Sequence, residues 1–321
     1  MRVRVRHRLS YPATLHEWIL QLAGVPPEAN GLINRFIPFK EEHVKMAELY
    51  AKYGGYPPSW DWGSEFQKFM MIAESVEDGC RFIKDDDVRV AYLRLADYMK
   101  PYFENYRKVS EEAMEYCEYW NGLIIDGIKD MLDMLGLNHE FNLDVYHIPY
   151  PPLPRGCGKG GANIPGESAV YVWDGLDNFK TTFYYAALWH EVFHVLLGKS
   201  LRGGPSLIGE ILCMLVHNLL ECKYFLSKDS WQPLLISKIS FDKIKFKMKD
   251  VIEGINHAKV EREVLDESIR LNVEVPDMTL IFEGRLTSGK SLYELEVLEA
   301  DRKLILVDYR DGRPVFRLRV E

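Results

Sequence analysis

Val3, Val5, His7 and Leu9 alternate with Arg4, Arg6 and Arg8 at the start of the chain, a period of two that predicts a strand with a row of cations on one face. From about 40 to 137 the period changes. Apolar residues recur at helical spacing, as in Val88, Tyr92, Leu95, Ala96 and Met99, and predict a mainly helical lobe. Asp85, Asp86 and Asp87 stand where such a helix begins, where carboxylates cap free N–H groups. Beyond 138, Phe141, Leu143, Val145 and His147 alternate with Asn142, Asp144 and Tyr146 and predict a second strand before a proline-rich stretch. Another short strand is expected over 169–173, closed by Asp174-Gly175. A helix over about 181–198, a break at Gly203-Gly204-Pro205-Ser206 and a second helix over about 207–226 follow. More helix is expected between about 240 and 271, and four β-rich stretches after Pro276 suggest a small antiparallel meander. The fold class is α+β, with expected divisions at 1–138, 139–275 and 276–321.

Composition refines this picture. The 321 residues, 47% hydrophobic and 27% charged, suit an ordinary folded chain with room for two or three domains. A formal net charge of -8 argues against general affinity for nucleic acid, so the arginines at 2, 4, 6 and 8 read as a solvated or salt-bridged edge strand. Five cysteines without CxxC spacing indicate neither a disulfide framework nor a thiolate zinc site, and a reducing cytoplasm fits them best. No apolar targeting segment follows the Arg-rich start. The longest apolar run, 207–226, contains Glu210, His217, Glu221 and Lys223, and reads as a buried helix rather than a membrane span.

The chemistry concentrates at His190-Glu191-Val192-Phe193-His194. On a helix, residues four apart differ by about 40° of rotation, so both imidazoles project to one side and can grip one ion with Glu191 at its edge. The neighbours Ala187-Leu188-Trp189 and Val195-Leu196-Leu197 are uncharged, as a helix under an active-site floor requires. Zinc hydrolases use three protein ligands and leave one position for water. The next helix offers Glu210, His217 and Glu221 on one face. If the chain turns between about 199 and 205, His194 and Glu210 lie equally far from the turn, which favours Glu210; Glu221, His217 or no protein ligand are the alternatives. The run Gly156-Cys157-Gly158-Lys159-Gly160-Gly161 fails as a phosphate loop, since no Ser or Thr follows the lysine. Cys157 reads as a loop thiol near the cleft rather than a latch on the metal.

With these residues the chain resembles the gluzincins, metallopeptidases with HExxH on one helix and a glutamate ligand on the next, and is most similar to the small ImmA/IrrE-type branch. The resemblance covers about 140–227 and implies a zincin-like core holding Zn2+ through His190, His194 and Glu210, with Glu191 as general base. It also implies that Ala169–Trp173 runs beside the cleft and pairs with substrate backbone, and that Phe183 precedes the motif. Met214 departs from the aspartate that larger gluzincins place four residues after the glutamate. Leu197 and Ser200 exclude the metzincin pattern.

The expected function is zinc-dependent hydrolysis of a peptide or protein substrate, with Tyr184, Tyr185, His217, Tyr224 and His257 as candidate oxyanion donors. The alternative is a regulatory or binding protein that retains the site and acts on one dedicated partner.

Overall fold

A computed structural model describes residues 2–25, 33–56, 65–150, 161–164, 167–174 and 182–200, the positions 213, 216, 220, 223 and 224, and a set of strands between 259 and 320. For 161–163, 182–187, 199–200 and the strands beyond 258, only the backbone is described. The molecule mixes helix and strand, and helix predominates up to residue 200.

Strand β1 (Val3–Leu9) leads directly into helix α1 (Tyr11–Leu22). Ser10 caps α1 by accepting from the Ala13 N–H, and Pro12 sits in the first turn, where a missing donor costs nothing. Every residue from Pro12 to Leu22 is buried. That explains why α1 lies ahead of the helical region read from periodicity: a helix covered on all sides has no polar face to reveal its period.

Helices α2 (Glu41–Tyr53), α3 (Glu65–Ile72) and α4 (Val76–Cys80) surround it, followed by α5 (Asp86–Tyr119) and α6 (Asn121–Met134). Asp85 caps α5 through the Asp87 and Val88 N–H groups, while Asp86 and Asp87 occupy the first turn, as the triplet predicts. The 34 residues of α5 span about 51 Å at 1.5 Å per residue. Their buried stripe runs from Val88 through Tyr92, Leu95 and Met99 to Phe103, then through Ser110 and Ala113 to Cys117. Its first part, from Val88 to Phe103, packs with Leu15, Trp18, Ile19 and Tyr50 into one core.

Strand β2 (Phe141–Ile148) pairs in parallel with β1, Val3 facing Phe141 and Leu9 facing His147. A short β3 (Gly161–Asn163) and β4 (Ala169–Trp173) complete a sheet of order β1-β2-β4-β3, in which β1, β2 and β4 are parallel and β3 is antiparallel. The arginines of β1 lie on its exposed face: Arg6 grips Asp144 with both ends of its guanidinium at 2.7 and 2.9 Å, and Arg8 reaches the same carboxylate at 3.1 Å. They form a salt-bridged edge.

Helix α7 (Thr182–Ser200) carries the HExxH residues. Cys213, Val216, Leu220, Lys223 and Tyr224 are helical, and the first three are buried. Beyond them, β5 (Lys259–Leu265), β6 (Ser268–Val275), β7 (Met278–Arg285) and β8 (Glu294–Leu295) pair antiparallel in order, and β9 (Leu298–Ala300), β10 (Lys303–Arg310) and β11 (Arg313–Val320) form a second set. The expectation of helix up to 271 is therefore corrected over 259–265 and 268–271. Val260 and Val264 stand four apart, as a helix stripe would place them, but Ile269, Leu271 and Val273 continue with a period of two, and Val260 pairs with Val273.

The chain forms two compact units, Arg2–Ile125 with Glu140–Val195, and Asp126–His139 with Leu196–Glu321. No helix among the described residues is long and apolar enough to cross a membrane.

Candidate functional site

Around the HExxH residues, α7 is apolar on nearly every side. Leu188, Trp189, Val192, Phe193 and Leu196 are fully buried, whereas His190, Glu191 and His194 are only half-buried. The helix thus presents its polar residues together on one strip. His190 Nε2 and His194 Nε2 lie 3.1 Å apart, with ring planes at 74°. Two nitrogens bound to one tetrahedral zinc at about 2.0–2.1 Å stand about 3.3 Å apart, so the two imidazoles already converge as ligands of a single ion would.

Glu191 influences the sheet through its charge. It acts electrostatically on Tyr171 of β4, a buried phenol whose pKa is held well above its ordinary value, first by burial, then by the charge of Glu17 and a hydrogen bond to it, and further by Glu191. Glu17 comes from the buried helix α1 and is itself 1% exposed. Glu17 meets Tyr171 directly, and Glu191 adds to the shift through its charge alone. Glu17 was not among the residues expected at the site. The available signal was a polar row, Thr14, His16, Glu17 and Gln21, inside an apolar stretch. Tyrosines partner much of that row: His16 meets the Tyr50 hydroxyl at 2.8 Å and the Tyr56 hydroxyl at 3.0 Å, and the Gln21 amide donates to Tyr150, while Thr14 donates to the Ser10 carbonyl at 2.8 Å.

The expected substrate-pairing role of Ala169–Trp173 is corrected. β4 is an interior strand, paired with β2 from Asp144 to Ile148 and with β3 through Gly161, Ala162 and Asn163. Both backbone edges are occupied where these registers run, because β3 folds back onto the side that an outer strand would leave open.

Of the expected third ligands, Glu210, His217 and Glu221 lie outside the described residues, as do Cys157, Met214 and His257 and the side chains of Phe183, Tyr184 and Tyr185. Tyr224 is described: its hydroxyl donates to Asp130 at 2.7 Å, beside the Lys223–Asp130 ion pair. Burial and Asp130 push its pKa up.

A second convergence of ligand-type side chains was not anticipated. Among the described residues, His7, Cys117 and His147 bring three such atoms within 4.8 Å of one another. They come from β1, α5 and β2 respectively. His7 Nδ1 lies 2.9 Å from His147 Nε2, while His147 Nδ1 lies 2.9 and 3.0 Å from the two oxygens of Asp174. Ser110 donates to the same carboxylate at 2.5 Å. His147, Asp174 and Ser110 are buried, and burial raises the Asp174 pKa against the opposing pull of His147 and Ser110. The His7 imidazole is pushed down to about 3, by burial and then by His147. In the sequence, His7 and His147 look like ordinary members of two alternating strands, and Cys117 continues the apolar stripe of α5. Only the parallel register of β1 on β2 brings them together.

Compared with protein-family models, curated proteins and solved structures, the chain matches none.

Proposed function

We propose that the protein is a zinc-dependent peptidase acting through His190, Glu191 and His194. The observation that carries this reading is the 3.1 Å approach of the two Nε2 atoms on a helix that is otherwise apolar. The donor set fits the ion: two neutral imidazoles one turn apart suit zinc, and a carboxylate between them suits the proton transfers of hydrolysis.

Zinc held by His190 and His194 would supply an acidified water and polarise the scissile carbonyl. Glu191, beside the two imidazoles, would hold the proton given up by the attacking water and pass it to the departing amine, one carboxylate serving as base and then acid. Glu210 is the third ligand in this proposal, as the resemblance to the gluzincins implies. The substrate in this reading is a peptide or protein, within a reducing cytoplasm; in the alternative, a protein acting on one dedicated partner, the helical lobe and the C-terminal β region would select that partner.

The test is Glu191→Gln in the full chain. Zinc content by elemental analysis should be unchanged, while cleavage of casein or a peptide library should be abolished. Retained turnover would overturn the assignment of the base. Zinc-loaded wild-type protein that leaves every such substrate intact would replace the general peptidase with one restricted to a dedicated partner.

A further inference from the structure

We infer that His7, Cys117 and His147 form a second metal site, separate from the HExxH residues, for a zinc-class transition-metal ion held by two imidazoles and one thiolate. Three features of the cluster carry this.

The first is convergence across elements. The ligand atoms come from the edge strand, its neighbour and the long helix, and they meet within 4.8 Å. His147 and Cys117 are fully buried, so their ligand atoms are not dispersed by solvation. Two nitrogens and one sulfur are the donors that borderline divalent ions such as zinc prefer over magnesium or calcium.

The second is the support behind His147. Asp174 accepts from its Nδ1–H, which fixes the tautomer and leaves the Nε2 lone pair pointing at His7. Ser110 anchors the carboxylate in turn. Metal-bound histidines commonly give their second N–H to such a carboxylate, which orients the ring and makes it a better ligand. The ion's two positive charges would be balanced by the Cys117 thiolate and the Asp174 carboxylate, so the cluster could be buried without net charge.

The third is an unsatisfied atom. His7 Nε2 is buried and has no hydrogen-bond partner among the described residues. With His147 Nε2 unprotonated, the His7 Nδ1–H is spent on it and His7 Nε2 is left as a bare acceptor, which costs stability in a buried site. An ion between His7 Nδ1 and His147 Nε2, the two atoms that face each other, takes both lone pairs and moves the His7 proton to Nε2, from which it can be donated towards the adjoining cavity. A shallow cavity of 570 Å³, lined by His7, Arg6, Arg8, Val5, Glu118 and Asn121, gives solvent access beside the cluster. Through it the ion can enter, the Cys117 proton can leave and a water can complete the coordination.

The experiment uses the full chain carrying His190→Ala and His194→Ala, which removes the α7 site and makes the outcome independent of the proposed peptidase. Titration with Co2+ should produce a thiolate-to-cobalt charge-transfer absorption at one equivalent, displaced by Zn2+. Cys117→Ser in that background should abolish the absorption. No absorption in the parent, or an absorption surviving Cys117→Ser, overturns the site. Because Cys117 is buried and its replacement can cost folding, His7→Ala on the edge strand supplies the second arm. It should weaken Co2+ binding at least tenfold with the far-ultraviolet circular dichroism unchanged. Unaltered affinity in that variant overturns the proposal equally.

Discussion

His16 Nδ1 lies 2.8 Å from the Tyr50 hydroxyl in a fully buried setting, and its other nitrogen meets Tyr56 at 3.0 Å. The ring is held on both sides by phenol hydroxyls, with Phe66 edge-on. Burial therefore drives its pKa down from 6.5 to about 3.

This makes His16 an acid-sensitive element. Its folded pKa lies below its unfolded value, so between about 6.5 and 3 the unfolded chain binds the proton that the native state refuses. Stability from this source is complete above pH 6.5 and falls as pH decreases, by at most about 1.4 kcal/mol per pH unit. Denaturant titrations of wild type and His16→Gln should show a shallower acid slope in the variant. Parallel slopes would refute the neutral, buried state of His16.

The stripe of α5 predicts a large cost for truncation. Leu95 is fully buried in the cluster that contains Trp18, Tyr50 and Tyr92. Leu95→Ala should lower unfolding free energy by about 2–5 kcal/mol, the sum of lost transfer energy and the cavity left behind. Urea unfolding monitored by tryptophan fluorescence measures this directly.

Two surface features should differ in the same assay, the helix cap costing more than the ion pair. Asp85→Ala removes the cap of a 34-residue helix and should cost about 0.5–2 kcal/mol. Arg6→Ala breaks a bidentate ion pair, but the Arg6 side chain is 62% exposed. Screening and lost side-chain entropy should hold its effect to roughly 0–1 kcal/mol, smaller still at high salt.

The proposed peptidase site makes a ranking prediction for its third ligand. Glu210→Gln should weaken zinc retention during dialysis against a chelator far more than Glu221→Gln or His217→Ala. Equal retention by all three variants would remove Glu210 from the ligand set.

Much of the local structure was legible in the residues themselves. The alternation around His7 and Phe141 specifies strands because the side-chain period of two is a property of extended backbone alone. The stripe from Val88 to Phe103 specifies a helix for the same reason at 3.6, and Asp85 marks its start because free N–H groups there need an acceptor. His190, Glu191 and His194 are likewise readable, since a spacing of four along one helix sets their relative direction without help from the rest of the chain. What required the tertiary structure is every juxtaposition between elements. Helix α1 is buried on all sides, so its polar row marks no solvent-facing side, and it brings Glu17 to Tyr171. β4 takes partners on both edges, which its own five residues could not announce. His7 and His147 stand 140 positions apart and meet at 2.9 Å through a strand register and a crossover, with Cys117 added by a third element. Spacing along a chain records which side chains share a face; which faces meet is decided by how the elements bury them together.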